Sequence, residues 1–169
     1  MGDRDLNKVI VSSPGRINII GEHTDYNLGY VLPTSIDKRI RFTLKKNNTD
    51  TQCEIRSRGY EKALVVDLKH ISPSNTQWEN YILGVLYEIY KRNKELKGFQ
   101  CTIESDLPVG SGVSSSAALE CGLAFGLNEL FDLGLSKLEI VTLSRDAEHN
   151  YVGTKCGIMD QFASVMGKK

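Results

Sequence analysis

Leu107-Pro-Val-Gly-Ser-Gly-Val-Ser-Ser-Ser-Ala-Ala118 sets two glycines and four serines directly before an apolar run. Gly110 and Gly112 permit backbone dihedrals that other residues avoid. The serines lead straight into Ala117, so the unpaired N–H groups of a helix start would face whatever rests on the turn, and they favour an anion. Glycine lets a phosphate approach the backbone closely, and serine hydroxyls add donors or a ligand for magnesium. The stretch lacks the lysine of a Walker A loop and the third glycine of a dinucleotide fingerprint. A helix capped after a flexible turn would account for one serine. Three in a row after G-x-G exceed what capping needs, yet the spacing alone leaves both readings open.

Two further stretches could do chemistry. Gly15-Arg-Ile-Asn-Ile-Ile-Gly-Glu-His-Thr-Asp-Tyr-Asn27 packs Arg16, Glu22, His23 and Asp25 around Gly21. Carboxylates and an imidazole suit a ligand with many hydroxyls, because each carboxylate oxygen can accept from one. A solvated polar loop has the same composition. The apolar runs Ile17 to Ile20 and Tyr30 to Leu32 frame the cluster, which puts it where strands end and binding residues concentrate. Asp160 lies among apolar neighbours in Cys156-Gly-Ile-Met-Asp-Gln161. It is a helix cap, a buried partner of a cation, or a catalytic group. Glu148 and His149 close an otherwise apolar helix, where a solvated helix end is the ordinary explanation.

The elements that must position these residues follow from periodicity. Val9 to Ser12 and Ile17 to Ile20 are β-prone runs on either side of Pro14-Gly15. Ile40 to Lys45 alternates apolar and polar, as a half-buried strand does. Glu54 to Ser57, Ala63 to Asp67 and Phe99 to Glu104 are further strand candidates. Trp78, Tyr81, Ile82, Val85, Leu86 and Ile89 recur at helical spacing, and that helix should stop before Gly98. Ala117 to Phe131 carries a leucine stripe that Gly134 ends. Ser136-x-x-Glu139 is a capping box opening a helix toward Gly153, and Met159 to Met166 reads as a helix. Strands first and helices later predict an α+β fold, with residues 1–169 as one domain.

Composition excludes several classes. The 169 residues are 40% apolar and 25% charged, ordinary for a folded domain. Twenty-one basic residues balance twenty-one acidic ones, so nothing draws the chain to nucleic acid or an anionic membrane. No apolar run approaches membrane-spanning length. Cys53, Cys101, Cys121 and Cys156 form no C-x-x-C pair and no zinc spacing. With a polar N-terminus and no signal-peptide pattern, the expectation is a reducing, cytoplasmic setting.

Taken together, Gly15 to Pro33, Leu107 to Ala118 and Cys156 to Gln161 resemble the GHMP small-molecule kinases, and within them the galactokinase family. Trp78 to Val85 is similar to the family pattern around the nucleotide pocket. The resemblance covers essentially the whole chain. It implies the GHMP kinase N-terminal domain, an α+β unit of the ribosomal protein S5 domain 2-like class, with a mixed sheet against helices and a left-handed β-α-β crossover. It implies transfer of the γ-phosphoryl group of ATP to the C1-OH of galactose, a first step of galactose catabolism. Glu22, His23, Thr24 and Asp25 would bind the sugar. Pro108, Gly110, Ser111, Gly112, Val113, Ser114, Ser115, Ser116 and Ala117 would hold ATP, and Ser116 and Glu148 would ligate Mg2+. Asp160 would face the C1-OH with Arg16 beside it. Phosphoryl transfer fits such a set, because positioning and charge neutralisation carry most of the catalysis.

Members of that family are about twice this length, with a third glycine-rich motif and a C-terminal domain that this chain lacks. The expectation is a fragment with little activity alone, from a full-length protein that is a monomer. Two alternatives share the motifs: a kinase for N-acetylgalactosamine or arabinose, and a non-catalytic sensor of sugar and ATP. The intact Ser114-Ser115-Ser116 argues against the sensor.

Overall fold

A computed structural model describes residues 7–21, 27, 29–92, 95–108 and 110–167. Five strands form one mixed sheet in the order β1-β2-β5-β3-β4. They are β1 (Lys8–Asn18), β2 (Pro33–Lys46), β3 (Gln52–Ser57), β4 (Leu64–Asp67) and β5 (Phe99–Ser105). β2 pairs antiparallel with β1 and β5, and β4 pairs antiparallel with β3, while β3 and β5 run parallel. Four helices follow the predicted stripes: α1 (Gln77–Arg92), α2 (Ser115–Phe131), α3 (Lys137–Ala147) and α4 (Met159–Met166). The α+β expectation holds. No described helix is long and apolar enough to cross a membrane.

Alternation fixes the register. Ile40, Phe42 and Leu44 of β2 are buried, while Arg39, Arg41 and Lys45 are not. Burying one such apolar side chain is worth about 1.5–3 kcal/mol. A one-residue slip would exchange three of them for two arginines and Thr43. α2 lies over this apolar row, and Gly122 lets it sit close: a Cβ there would come within 2.2 Å of Phe42 Cε2. The core therefore fills the space between one sheet face and the helices, with Phe42, Phe99, Ile55, Leu86 and Leu127 fully buried.

Two expectations change. Val9 to Ser12 and Ile17 to Ile20 are not separate strands. β1 runs unbroken from Lys8 to Asn18 with a bulge between Pro14 and Arg16, and Ile19 and Ile20 lie beyond it, exposed. A bulge absorbs the Pro-Gly pair without ending the strand, and it re-aims the next side chain, here Arg16. The helix ending near Gly153 is also two pieces. α3 stops at Ala147, and Glu148–Val152 form a single π-helical turn that Gly153, at φ 83°, terminates. The capping box stands as expected: Ser136 accepts from the Glu139 amide while Glu139 accepts from the Ser136 amide.

Candidate active site

The site is assembled where the bulge of β1, the glycine–serine turn and the start of α4 meet. Ser164 donates to the Pro14 carbonyl at 3.1 Å and its Oγ lies 2.9 Å from Ser13 Oγ, which pins α4 to β1 beside the bulge. Gly15 permits the turn to close on the strand. A Cβ at position 15 would stand 2.5 Å from Leu107 Cδ2 and 2.8 Å from the Val113 carbonyl oxygen. The Arg16 amide donates to that same carbonyl at 3.1 Å.

Arg16 joins three segments. Its Nε and Nη2 donate to Asp160 Oδ1 and Oδ2, each at 2.7 Å, and its Nη1 donates to the Gly112 carbonyl at 2.8 Å. This two-pronged pairing is the strong, directional form of the arginine–carboxylate contact. Asp160 therefore does not cap α4, whose N-cap is Ile158. Of the three roles open to it from sequence, partnership with a cation is the one its contacts display.

The turn has the backbone of an anion cradle. Gly110, Gly112 and Ser114 all have positive φ, at 72°, 70° and 53°. Left-handed residues at short intervals are how a backbone aims successive N–H groups into one concavity. Ser114 stands at the N-cap of α2 but its side chain makes no capping bond. Its hydroxyl donates instead to Asp160 Oδ2 at 2.5 Å. Ser111 donates to the Pro108 carbonyl at 2.8 Å, which closes the turn. Ser115 and Ser116 are half-buried and Ala117 is buried, anchoring the first turn of α2.

Glu148 is not a solvated helix end. It is 6% exposed and faces the interior from the π turn. Its Oε2 accepts from Gln161 Nε2 at 2.8 Å and from Cys156 Sγ at 3.3 Å, and its carboxylate also accepts from the Ser116 side chain. Burial pushes the Glu148 carboxyl above its ordinary range, and the Cys156 and Ser116 contacts partly offset this. His149 staples the intervening loop, its Nε2 accepting from the Cys156 amide at 2.9 Å. Ser116 and Glu148 thus set a hydroxyl and a carboxylate within hydrogen-bonding reach of each other, and oxygen donors of this kind are the type that Mg2+ accepts.

Sequence reasoning therefore picked out Arg16, Gly112, Ser114, Ser116, Glu148 and Asp160, and the structure brings them together. Glu22, His23, Thr24 and Asp25 lie outside the described residues. Gly15 and Gln161 went unassigned. Gly15 carried a signal, standing in a Pro-Gly pair inside a strand. Gln161 carried one too, as an amide beside Asp160 in an apolar helix.

Comparison with known proteins decides the family. The GHMP kinases N terminal domain matches residues 80–168, and the galactokinase galactose-binding signature matches residues 2–46. This chain belongs to the GHMP kinases. Among relatives of this GHMP kinase, the galactokinase of Thermosipho africanus is 45% identical over 159 residues, covering 94% of the chain and 44% of its own length. That of Thermococcus kodakarensis is 40% identical over the same coverage. The crystal structure of Lactococcus lactis galactokinase complexed with galactose superposes with a TM-score of 0.89 at 37% identity, over 95% of the chain and 42% of that structure. Methanococcus jannaschii mevalonate kinase, at 22% identity and a TM-score of 0.80, shares the fold. The GHMP kinase chain spans less than half the length of the relatives it matches.

Proposed function

We propose that this chain is the catalytic-aspartate half of a galactokinase, which transfers the γ-phosphoryl group of ATP to the C1 hydroxyl of galactose. The observation that carries the reading is the Arg16–Asp160–Ser114 junction. It sets a carboxylate against the glycine–serine turn, in a chain bearing the galactose-binding signature. The C1 oxygen attacks the γ-phosphorus, the bond from phosphorus to the β–γ bridging oxygen breaks, and ADP leaves. Asp160 orients the attacking hydroxyl and takes its proton as the bond to phosphorus forms, and Arg16 holds Asp160 and lends positive charge to the transferring group. The turn from Pro108 to Ala117 cradles the phosphates on its N–H groups and on the start of α2. Ser116 and Glu148 would hold Mg2+, which when bound supplies charge neutralisation between the phosphates. Glu22, His23, Thr24 and Asp25 bind the sugar hydroxyls. Trp78, whose ring lies 4.5 Å from Tyr60, opens the helix beside the nucleotide pocket. The four free thiols support a reducing, cytoplasmic setting.

A coupled ADP-release assay on the full-length protein, run over a panel of free sugars, tests this. Galactose should turn over fastest, and Asp160→Asn should lower kcat by about 100-fold to 10,000-fold while sugar binding persists. Turnover led by N-acetylgalactosamine or arabinose would reassign the substrate. Full activity in Asp160→Asn would remove the proposed mechanism.

A further inference from the structure

Asp160 stands on a helix that cannot hold it in place alone. α4 has eight residues, and its N-cap Ile158 makes no side-chain capping bond. So short a helix takes its position from what it packs on. Among the described residues, two polar junctions tie α4 to β1. The first is the pair of bonds from Arg16 to Asp160. The second lies one helical turn further on, at Ser164, which shares a helix face with Asp160. Ser164 is 8% exposed and Ser13 of β1 is 6% exposed. Ser164 Oγ stands 3.1 Å from the Pro14 carbonyl oxygen and 2.9 Å from Ser13 Oγ.

Counting hydrogens fixes the direction of these bonds. The Pro14 carbonyl can only accept, so it takes the single hydrogen of the Ser164 hydroxyl. Ser164 has none left for Ser13, and Ser13 therefore donates to Ser164. The result is one directed chain, from Ser13 through Ser164 to the Pro14 carbonyl. Pro14 is where the register of β1 against β2 shifts, just ahead of Arg16. Ser13 is held from behind by α2, since a Cβ at Gly122 would come within 2.8 Å of Ser13 Cβ. The other buried residues of α4 are Met159, Gln161 and Ala163. Apolar contacts have no preferred direction, so they let a short helix slide or turn slightly. A hydroxyl chain fixes both distance and angle.

We propose that Ser164 is a positioning residue: its hydroxyl locks α4 to the Ser13–Pro14 segment of β1, so that Asp160 meets Arg16 in the two-pronged alignment. It acts on both partners of that pair at once. Asp160 lies one turn back along α4, and Arg16 lies just beyond Pro14 along β1. Without the hydroxyl the helix keeps its apolar contacts and loses the directional one, and the fork between Arg16 and Asp160 loosens. A misplacement of about 1 Å costs on the order of 100-fold in rate, so a partial release should cost about 10-fold. The kinetic part of this inference rests on the proposed role of Asp160. The alignment of the Arg16–Asp160 pair does not.

The test uses the full-length protein with 15N-labelled arginine, together with Ser164→Ala, Ser164→Thr and Ser13→Ala. Threonine keeps the hydroxyl, and a cavity of about 370 Å3 lined by Ser13 and Ser164 has room for its extra methyl. Arg16→Lys identifies the Arg16 Nε–H signal by its loss. That signal should be sharp and slowly exchanging in the wild type and in Ser164→Thr, and broadened in Ser164→Ala. A sharp signal in Ser164→Ala overturns the proposal whatever turnover does. If Ser164→Ala does not fold, Ser13→Ala carries the test: its Arg16 signal should also broaden, and an unchanged one overturns the proposal. With galactose and ATP, well below each melting temperature, Ser164→Ala should lower kcat about 10-fold with both KM values held within about twofold. Ser164→Thr should recover most of that loss, and equal losses in the two variants overturn positioning. Added to Arg16→Lys, Ser164→Ala should cost little more, because residues that act on one geometry are not additive. A full further loss of about 10-fold there also overturns it. Absence of galactose turnover in the wild type would instead remove the proposed function, leaving the Arg16 signal to decide the alignment.

Discussion

The Ser114 hydroxyl lies 2.5 Å from Asp160 Oδ2 and spends its hydrogen there rather than capping the helix it begins. Ser114 is also one of few described non-glycine residues with positive φ, so the backbone accepts a cost to aim that hydroxyl. The left-handed conformation costs a non-glycine residue about 1–2 kcal/mol. A hydrogen bond to a charged group returns about 1.5–3 kcal/mol. Ser114→Gly relieves the first and forfeits the second, so stability should shift by less than about 1–2 kcal/mol. Catalysis should fall much further, because the carboxylate loses one of its fixed donors. Thermal melts and turnover on the same samples check the split, and a parallel loss of both would contradict it.

Arg16 should not tolerate lysine. The guanidinium reaches both Asp160 oxygens and the Gly112 carbonyl at once, and an ammonium cannot span that fork. Arg16→Lys keeps the charge while releasing the turn from Asp160. A misplacement of about 1 Å costs on the order of 100-fold in rate. We expect that loss in kcat with little change in the melting temperature, measured by initial rates at saturating substrates. Near-wild-type kcat would show that charge alone suffices.

Gly15 and Gly112 should fail for different reasons. A Cβ at Gly15 meets the Val113 backbone oxygen at 2.8 Å, and backbone cannot swing aside as a side chain can. Gly15→Ala should therefore cost about 1–3 kcal/mol as overpacking does. At Gly112 nothing lies within 4 Å, but φ is +70°. Gly112→Ala should cost about 1–2 kcal/mol through backbone strain alone. Gly112→Asn should recover part of it, since asparagine tolerates that region, whereas no residue should rescue position 15. Denaturant melts of the three variants check this.

Cys156 supplies a pH test. Burial first, and then Glu148, push its thiol from the ordinary 9.0 up to about 12. Because the thiolate is the reactive form, a raised pKa lowers reactivity at a given pH. At pH 8 the thiolate fraction should be about 1,000-fold below that of an unshifted thiol. Alkylation at Cys156, followed by mass spectrometry, should keep rising about tenfold per pH unit through pH 10. A plateau near pH 9 would contradict the burial of this thiol.

The strands and helices were legible because burial acts on sequence with a fixed period. Ile40, Phe42 and Leu44 alternate, and the α1 stripe from Trp78 to Ile89 recurs at helical spacing. The Ser136–Glu139 box was legible because both of its bonds join residues three apart. The β1 bulge and the π turn were not, since each is a one-residue irregularity imposed by what packs on it. Within the site, the residue types were visible and their partners were not.

Local chemistry by itself determined which side chains could bind phosphate, carry charge or end a helix, since those properties belong to single residues and short spacings. Tertiary structure alone decided that Arg16 and Asp160 meet across 144 residues of chain. It alone decided that Ser114 serves Asp160 instead of its own helix, and that Glu148 lies buried against Gln161. Such pairings depend on how the strand bulge and three helices stack, and no local period in a sequence encodes a contact between segments that only packing brings together.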